Sequence, residues 1–484
     1  MLEKIRNAEL FILDFSAIAN IKSADQLQIL NKFILDNSLK VAVNYEFYEN
    51  YEVIIKTVNE EQRTIANLAY RFLSILKKNS CLLYMAEQRN AEDIISSLYR
   101  NEKVCFVFYK NSEFSESLLS FLEKEDYKAK AIIVSENGEM NSYDTLAEIK
   151  AAVTNVIDPT IAGDDYFAVS FVPNPGETVK TSEGTQILLG ELIGSGGEGA
   201  VYHCDYEENY VVKIYHKGQL NKLRLKKIFQ MEKKQVRYNG ICWPEKVIFS
   251  MKGEPVGYLM KQVEGRPLSS IFDSDEDVLK AFPTWNKQDL IALTIDILQK
   301  IQYLHLFGIL IGDLRMKNIV INEAGIPSIV DIDSCQIDNL PCPAGYPDYT
   351  PPELQHVAFK KNLRTYRNES FSCAVLMFKL LFCGLHPYDQ RHGADSIEEE
   401  ISLHSFPYPM DYTGDFSRIP WGSYKGMWEH MPFQFQMFLQ DIFKNGERYS
   451  LQQMIWMLKN YYRYLETRTD FEALNNIVHE VNEE

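Results

Sequence analysis

The chain reads as an α/β domain with a parallel sheet joined to an α+β domain of two lobes. Three observations carry that reading. The first ~155 residues alternate apolar, strand-like runs with stretches of helical spacing; the region from residue 185 opens on short strands and closes on helices; and between them lies a polar stretch punctuated by Asp158-Pro159 and Val172-Pro173-Asn174-Pro175-Gly176. The expected organisation is a first domain over 1–157, a linker over 158–184, a second domain over 185–467 and a tail over 468–484.

In the first domain, strands are predicted at 9–15, 39–45, 104–109 and 130–134. Helical spacing appears in Leu27-Leu30-Phe33-Ile34 and in Ile65-Leu68-Ala69-Phe72-Leu73-Leu76. Strands alternating with helices predict a parallel sheet covered on both faces. In the second domain, strands are predicted at 186–193, 200–204, 210–215 and 255–262, with a helix at 222–236. Helices are predicted at 290–307, 370–382, 432–444 and 451–464.

Composition bounds the function. With 484 residues, two or three domains are expected, and 46% hydrophobic with 12% aromatic content supplies real cores. A net charge of −17 disfavours non-specific binding to nucleic acid and docking on anionic membranes. No run approaches the ~18 apolar residues of a membrane-spanning helix. The N-terminus, Met1-Leu2-Glu3-Lys4-Ile5-Arg6, lacks the layout of a signal peptide, and the eight cysteines contain no CxxC pair. A cytoplasmic protein with free thiols is the expectation.

Three motifs carry the chemistry. The first is Gly194-Ser195-Gly196-Gly197-Glu198-Gly199-Ala200-Val201, set between strand-like runs. Its glycines let backbone amides approach phosphates. Lys213 follows in Tyr210-Val211-Val212-Lys213-Ile214; a lysine inside an apolar strand is costly unless paired, and Glu232 is the only acidic residue of the helix that follows. The second motif is Asp313-Leu314-Arg315-Met316-Lys317-Asn318, and the third is Asp331-Ile332-Asp333. Asp and Asn oxygens suit Mg²⁺.

In this order and at these spacings the motifs resemble the nucleotide and metal site of a eukaryotic-type protein kinase, over about residues 180–465. Gly196-Gly197-Glu198-Gly199-Ala200-Val201-Tyr202, Asp331-Ile332-Asp333-Ser334, Tyr349-Thr350-Pro351-Pro352-Glu353-Leu354 and His386-Pro387-Tyr388 resemble a bacterial Ser/Thr branch of that family. The resemblance implies ATP and Mg²⁺, a protein Ser/Thr substrate and a capacity for autophosphorylation. It implies that Gly194, Ser195, Gly196, Gly197, Gly199 and Val201 cover the phosphates. Lys213, paired with Glu232, would hold the α- and β-phosphates, and Met260 would back the adenine pocket, with the hinge, Gln262 included, at 261–263. Asp313 would orient the attacking hydroxyl, Arg315 would neutralise the transferring phosphoryl, and Asn318 and Asp331 would bind the metal. Glu353 would pair with Arg448, and Glu369 would brace the catalytic loop.

Two departures matter. Ile311-Gly312 stands where the family has His-Arg, so control through an activation-loop phosphate loses its usual partner. Ile332-Asp333 stands where it has Phe-Gly, which adds a carboxylate beside the metal site, for a second ion or for local bonding.

Asp14 ends an apolar strand, where α/β sheets bind ligands. With Glu46, Glu49 and Asp93 it resembles the acidic set of a PIN-like, Rossmannoid nuclease domain, except that Asn111 stands at the place of the late acidic residue. The readings of this domain are a sensing or docking module or a kinase-regulated nuclease, the latter being the one route to a nucleic-acid partner. A nucleotide-binding pseudokinase scaffold is the alternative for the whole chain.

Overall fold

The computed structural model describes residues 2–44, 47–86, 89–161, 172–234, 236–410, 414–467 and 476–477. The N-terminal sheet contains β1 (Leu10–Leu13), β2 (Lys40–Val43), β3 (Leu82–Tyr84), β4 (Val104–Tyr109), β5 (Lys130–Val134) and β6 (Met140–Tyr143). Their order is β3-β2-β1-β4-β5-β6, parallel throughout except for β6, which runs antiparallel to β5. Every residue of β4 is buried, as a central strand covered on both faces requires. Alternate residues feed opposite sides. Val104, Phe106 and Phe108 pack with Ile94, Phe114 and Leu118, whereas Cys105, Val107 and Tyr109 belong to an apolar core that continues into the second domain. β3 and β6 escape sequence prediction because both are short edge strands, and in β6 only Met140 is buried.

The second domain opens with a closed six-stranded barrel. Its strands are β7 (Thr178–Thr181), β8 (Gln186–Ser195), β9 (Gly199–Cys204), β10 (Tyr210–Tyr215), β11 (Lys246–Ser250) and β12 (Pro255–Lys261). β7 corrects the expected linker over 158–184. Its Thr-Val-Lys-Thr alternation pairs with both β8 and β11, so the barrel begins inside that stretch. The helix Lys222–Lys234 packs on β11. The tail expected from 468 lies outside the described residues except at 476–477, where Ile477 is buried.

The large lobe is helical. Helix Lys287–Leu306 starts at an Asn286/Asp289 capping box and helix Tyr366–Leu381 at a Thr365/Asn368 box. Helix Leu451–Thr467 packs against the first. Among the described residues no helix is long and apolar enough to cross a membrane, and all eight cysteines are free thiols.

The two domains are joined by buried polar bonds as well as by the shared core. Asp338, buried and at φ 51°, accepts from Tyr109 Oη (2.8 Å), Asn111 Nδ2 (3.0 Å) and Lys234 Nζ (3.0 Å). This one carboxylate therefore ties the end of β4, the last turn of helix Lys222–Lys234 and the segment after the Asp331 motif. Glu116 accepts the backbone N–H groups of Tyr366 (2.5 Å) and Arg367 (3.2 Å), which caps helix Tyr366–Leu381 from the other domain. Asn20 donates to Leu306 O (2.7 Å) and Tyr303 Oη to Thr57 (2.9 Å).

Candidate active site

The glycine-rich segment folds as the β8–β9 hairpin, closed by Gly196 N–H donating to Gly199 O (2.9 Å). Gly199 is obligatory, because a Cβ there would stand 2.5 Å from Ile214 O. Lys213 sits mid-strand in β10, opposite Val201 on β9 and Tyr258 on β12. Its neighbour Gly257 lets β12 approach, since a Cβ would fall 1.9 Å from Lys213 O.

Below the hairpin lies a cleft of about 370 Å³ lined by Gly194, Val201, Lys213, Met260, Gln262 and Asp331. Met260 and Gln262 thus both line this cleft. The Gln262 N–H is bonded to Asn209 O (2.7 Å).

The loop Asp313–Asn318 is joined to the cleft through Val330, which lines it. Asn318 Nδ2 donates to Asp313 O (2.9 Å) and Oδ2 (3.2 Å), and Arg315 Nη2 donates to Asp313 Oδ2 (3.0 Å). Val330 N–H donates to Asn318 O (2.9 Å), which sets Asp331 beside Asn318. Asp331 takes the left-handed conformation at φ 57°, and its half-exposed side chain reaches Lys213 Nζ at 2.6 Å. The amide nitrogen of Asn318 faces Asp313, so its oxygen is the end left for an ion. An amide oxygen and a partly exposed carboxylate are hard donors that fit Mg²⁺. Burial raises the Asp331 pKa, with Lys213 pulling against it.

Glu369, 1% exposed, accepts from Ile311 N (2.9 Å), Gly312 N (2.8 Å) and His305 Nε2 (2.9 Å). It braces the loop as expected, and Arg448 meets Glu353 at 3.2 Å. At Gly312, φ 71°, a Cβ would stand 2.7 Å from Cys342 Sγ, so this backbone has no room for the family's arginine. Buried Arg364 instead donates to Cys342 O (2.9 Å) and Ala344 O (2.5 Å), pinning the following segment through carbonyls rather than a phosphate.

The expected Lys213–Glu232 pair is not formed. Glu232 accepts from Ser182 Oγ and Val247 N, on the outer side of the lobe. The helix presents Arg224 to Asp333 and Glu198, and Glu232 lies eight residues further on, about 12 Å along the axis. Lys213 bonds Asp333 Oδ1 (3.0 Å) instead. Asp333 is fully buried, accepts from Tyr215 Oη, and has Arg224 Nε at 3.7 Å. Burial would raise its pKa; Lys213 and Arg224 outweigh that and hold it well below the carboxylate range. Tyr215, Arg224 and Gly257 escaped the sequence reading. Tyr215 could have been found from strand alternation, two residues after Lys213.

The acidic residues of the N-terminal domain do not gather. Asp14 caps the helix Phe15–Asn20 through Ser16, Asp93 forms a capping box with Asn90, and Glu49 faces Lys459 at 3.6 Å. Glu46 lies outside the described residues. Among the described residues no three His, Cys, Asp or Glu side chains are grouped to hold a metal. The crevice at the strand ends is lined by Asp14, Ser16 and Asn44 but also by Gln302, His305 and Gln452 of the large lobe. The large lobe thus forms one of its walls.

A strand lobe with a glycine-rich hairpin over a cleft, a buried lysine and an Asp–Asn–Asp floor define a phosphotransferase of the two-lobed kind. The family model for the protein kinase domain matches residues 188–456, more than half of the chain, and the protein belongs to the protein kinase family. Among curated relatives, protein kinase YegI of Escherichia coli K12 is 28% identical over 245 residues, 48% of this chain and 38% of the relative. A probable serine/threonine-protein kinase of Dictyostelium discoideum is 24% identical over 46% of this chain and 33% of its own, and serine/threonine-protein kinase PksC of Streptomyces coelicolor is 23% identical over 43% and 38%. The chain therefore spans under two fifths of the length of these relatives.

Proposed function

We propose that this protein is an ATP- and Mg²⁺-dependent kinase that transfers the γ-phosphoryl group to Ser or Thr hydroxyls of proteins. The observation that carries the reading is that Lys213 bonds Asp331 (2.6 Å) in the cleft while Asn318, bonded to Asp313, holds the neighbouring Val330 N–H through its carbonyl (2.9 Å). Names of the relatives favour Ser/Thr acceptors. Asp313 orients the acceptor hydroxyl and takes its proton as the oxygen bonds to the γ-phosphorus; the bond to the β,γ-bridging oxygen breaks, and ADP leaves with that electron pair. Lys213 holds the α- and β-phosphates, and Arg315, beside Asp313, neutralises the transferring group. Asn318 and Asp331 are the residues that hold Mg²⁺, which supplies charge neutralisation to the phosphates when bound. The pinning of the Cys342–Ala344 stretch by Arg364 favours activity without activation-segment phosphorylation.

The N-terminal domain is, in this reading, a regulatory docking module. Its bonds to Asp338 and to the start of helix Tyr366–Leu381 favour this over a second catalytic centre. The test of the main proposal is transfer of labelled γ-phosphate from Mg²⁺-ATP to a generic protein substrate, and to the chain itself, by the intact protein, by Asp313→Asn and by Lys213→Met. Transfer lost in both variants supports the kinase. Nucleotide binding without transfer in the intact protein would leave the scaffold.

A further inference from the structure

The phosphate-binding lysine of this cleft is held by a carboxylate from the metal-ligand turn rather than from the helix. We propose that Asp333 is the positioning residue for Lys213, and that Arg224 is the group through which helix Lys222–Lys234 engages the site. The inference rests on the kinase reading above and concerns how its phosphate-binding lysine is set.

Asp333 Oδ1 accepts from Lys213 Nζ at 3.0 Å, and its other oxygen faces Tyr215 Oη and Arg224 Nε. With two cations and a phenol against a carboxylate of 0% exposure, no oxygen is turned toward a metal. That removes the second-ion reading of Asp333 and leaves positioning. Arg224 continues the chain of charge, since its Nη2 meets Glu198 Oε1 at 2.6 Å in the turn of the glycine-rich hairpin. The sequence Glu198–Arg224–Asp333–Lys213 thus links the loop over the phosphates, helix Lys222–Lys234 and the lysine. The usual polarity is inverted: the helix brings the cation and the motif after Val330 brings the anion. A helix displaced from the cleft would withdraw Arg224 and free both Glu198 and Asp333. Lys213 also bonds Asp331, a metal ligand, at 2.6 Å. Asp333 is therefore the partner that keeps Lys213 in place when Asp331 turns to an ion.

The experiment compares the full chain with Asp333→Asn, Arg224→Gln, Arg224→Lys and Glu232→Gln. For each, kcat and KM for ATP, the dissociation constants of Mg²⁺-ATP and of adenosine by calorimetry, and the melting temperature are measured. Asp333→Asn is expected to lower kcat by roughly 30-fold and to weaken ATP about 10-fold with adenosine unchanged, a split that a loss of general packing would not give. Arg224→Gln is expected to lower kcat about 10-fold, Arg224→Lys to recover to within about threefold, and Glu232→Gln to match the wild type. The double variant Asp333→Asn with Arg224→Gln should be no worse than Asp333→Asn alone, as coupled residues require. The assignment is overturned if Glu232→Gln reproduces the losses, if Asp333→Asn leaves the ATP-to-adenosine ratio unchanged, or if the two losses multiply. Absence of transfer by the wild type would overturn the kinase reading instead, and the binding ratio would still judge Asp333. Should Asp333→Asn fail to fold, the Arg224 and Glu232 variants decide.

Discussion

The molecule has two clefts at places where their folds bind ligands, and the two are opposites. The cleft between the kinase lobes is open, and its charged groups face one another across separate elements: β10, the catalytic loop and the turn at Asp331. The N-terminal domain has acidic residues at its strand ends too, but Asp14 and Asp93 cap their own helices and Glu49 faces Lys459 of the large lobe. Carboxylates that meet a buried lysine from another element, as Asp331 and Asp333 meet Lys213, mark the cleft apart from carboxylates that only cap their own helices. In one region charge is kept for a ligand; in the other it anchors one domain on another.

The largest effect that tests this contrast is at Asp313. Asp313→Asn keeps the size of the side chain and removes the proton acceptor, so kcat is expected to fall by about 10³-fold, within the range for loss of a general base. Melting should change little. Phosphate transfer retained within tenfold would place the proton acceptor elsewhere and break the comparison at its functional end.

Second is the anchor. Asp338→Ala leaves Lys234, Tyr109 and Asn111 facing a void, and Lys234 keeps a charge at a mostly buried position. Removing one partner of a buried ion pair costs about 3–5 kcal/mol. Thermal unfolding of the intact chain should therefore drop markedly, and the N-terminal domain should become more susceptible to limited proteolysis. An unchanged melting curve would show that the two domains are held by their apolar core alone.

How much of this the sequence discloses differs between the two regions for a physical reason. The glycine hairpin, the Asp313–Asn318 loop and Asp331 are local motifs whose geometry is set within a few residues, so spacing locates them. Central strands such as β4 and β10 announce themselves by long apolar runs, whereas β6 and β7 lack one and β3, though apolar, has only three residues and lies at the sheet edge. The Lys213–Glu232 expectation failed because a separation of nineteen residues says nothing about where the helix starts or which turn meets the cleft. Packing decides that, including the bond from Trp243 Nε1 to Met231 O (3.0 Å) near the helix end. The large-lobe wall of the N-terminal crevice is a fact of domain docking, written in Tyr109 and Glu116, which belong to no motif, and in Asn111, which departs from one.

Glu116 gives a smaller, pH-dependent effect. Burial pushes its carboxyl up to about 7 from 4.5, against the pull of the Tyr366 and Arg367 N–H groups. A raised carboxyl value means that the folded state favours the protonated form. Its contribution to stability is full below the unfolded value and is lost as pH rises through about 7. The melting difference between wild type and Glu116→Gln is expected to be greatest, in favour of the wild type, near pH 5 and to shrink by pH 8. A difference independent of pH would mean that this carboxylate is not buried by the docking of the two domains.

The smallest expected effect is at Asp14, and it is the sharpest probe of the second cleft. The side chain accepts from Ser16 N (3.1 Å) and from Ser16 Oγ at the start of helix Phe15–Asn20. Asn caps a helix about as well as Asp, so Asp14→Asn should alter stability by less than about 0.5 kcal/mol. Burial raises the Asp14 pKa, which works against the ionised form that a metal needs. Phosphate transfer should therefore be unchanged. Incubation of the intact chain with single-stranded RNA and Mn²⁺ or Mg²⁺ should give no cleavage that Asp14→Asn abolishes. Metal-dependent cleavage present in the wild type and lost in this variant would turn the anchored domain back into a second enzyme, with the large lobe as one wall of its site.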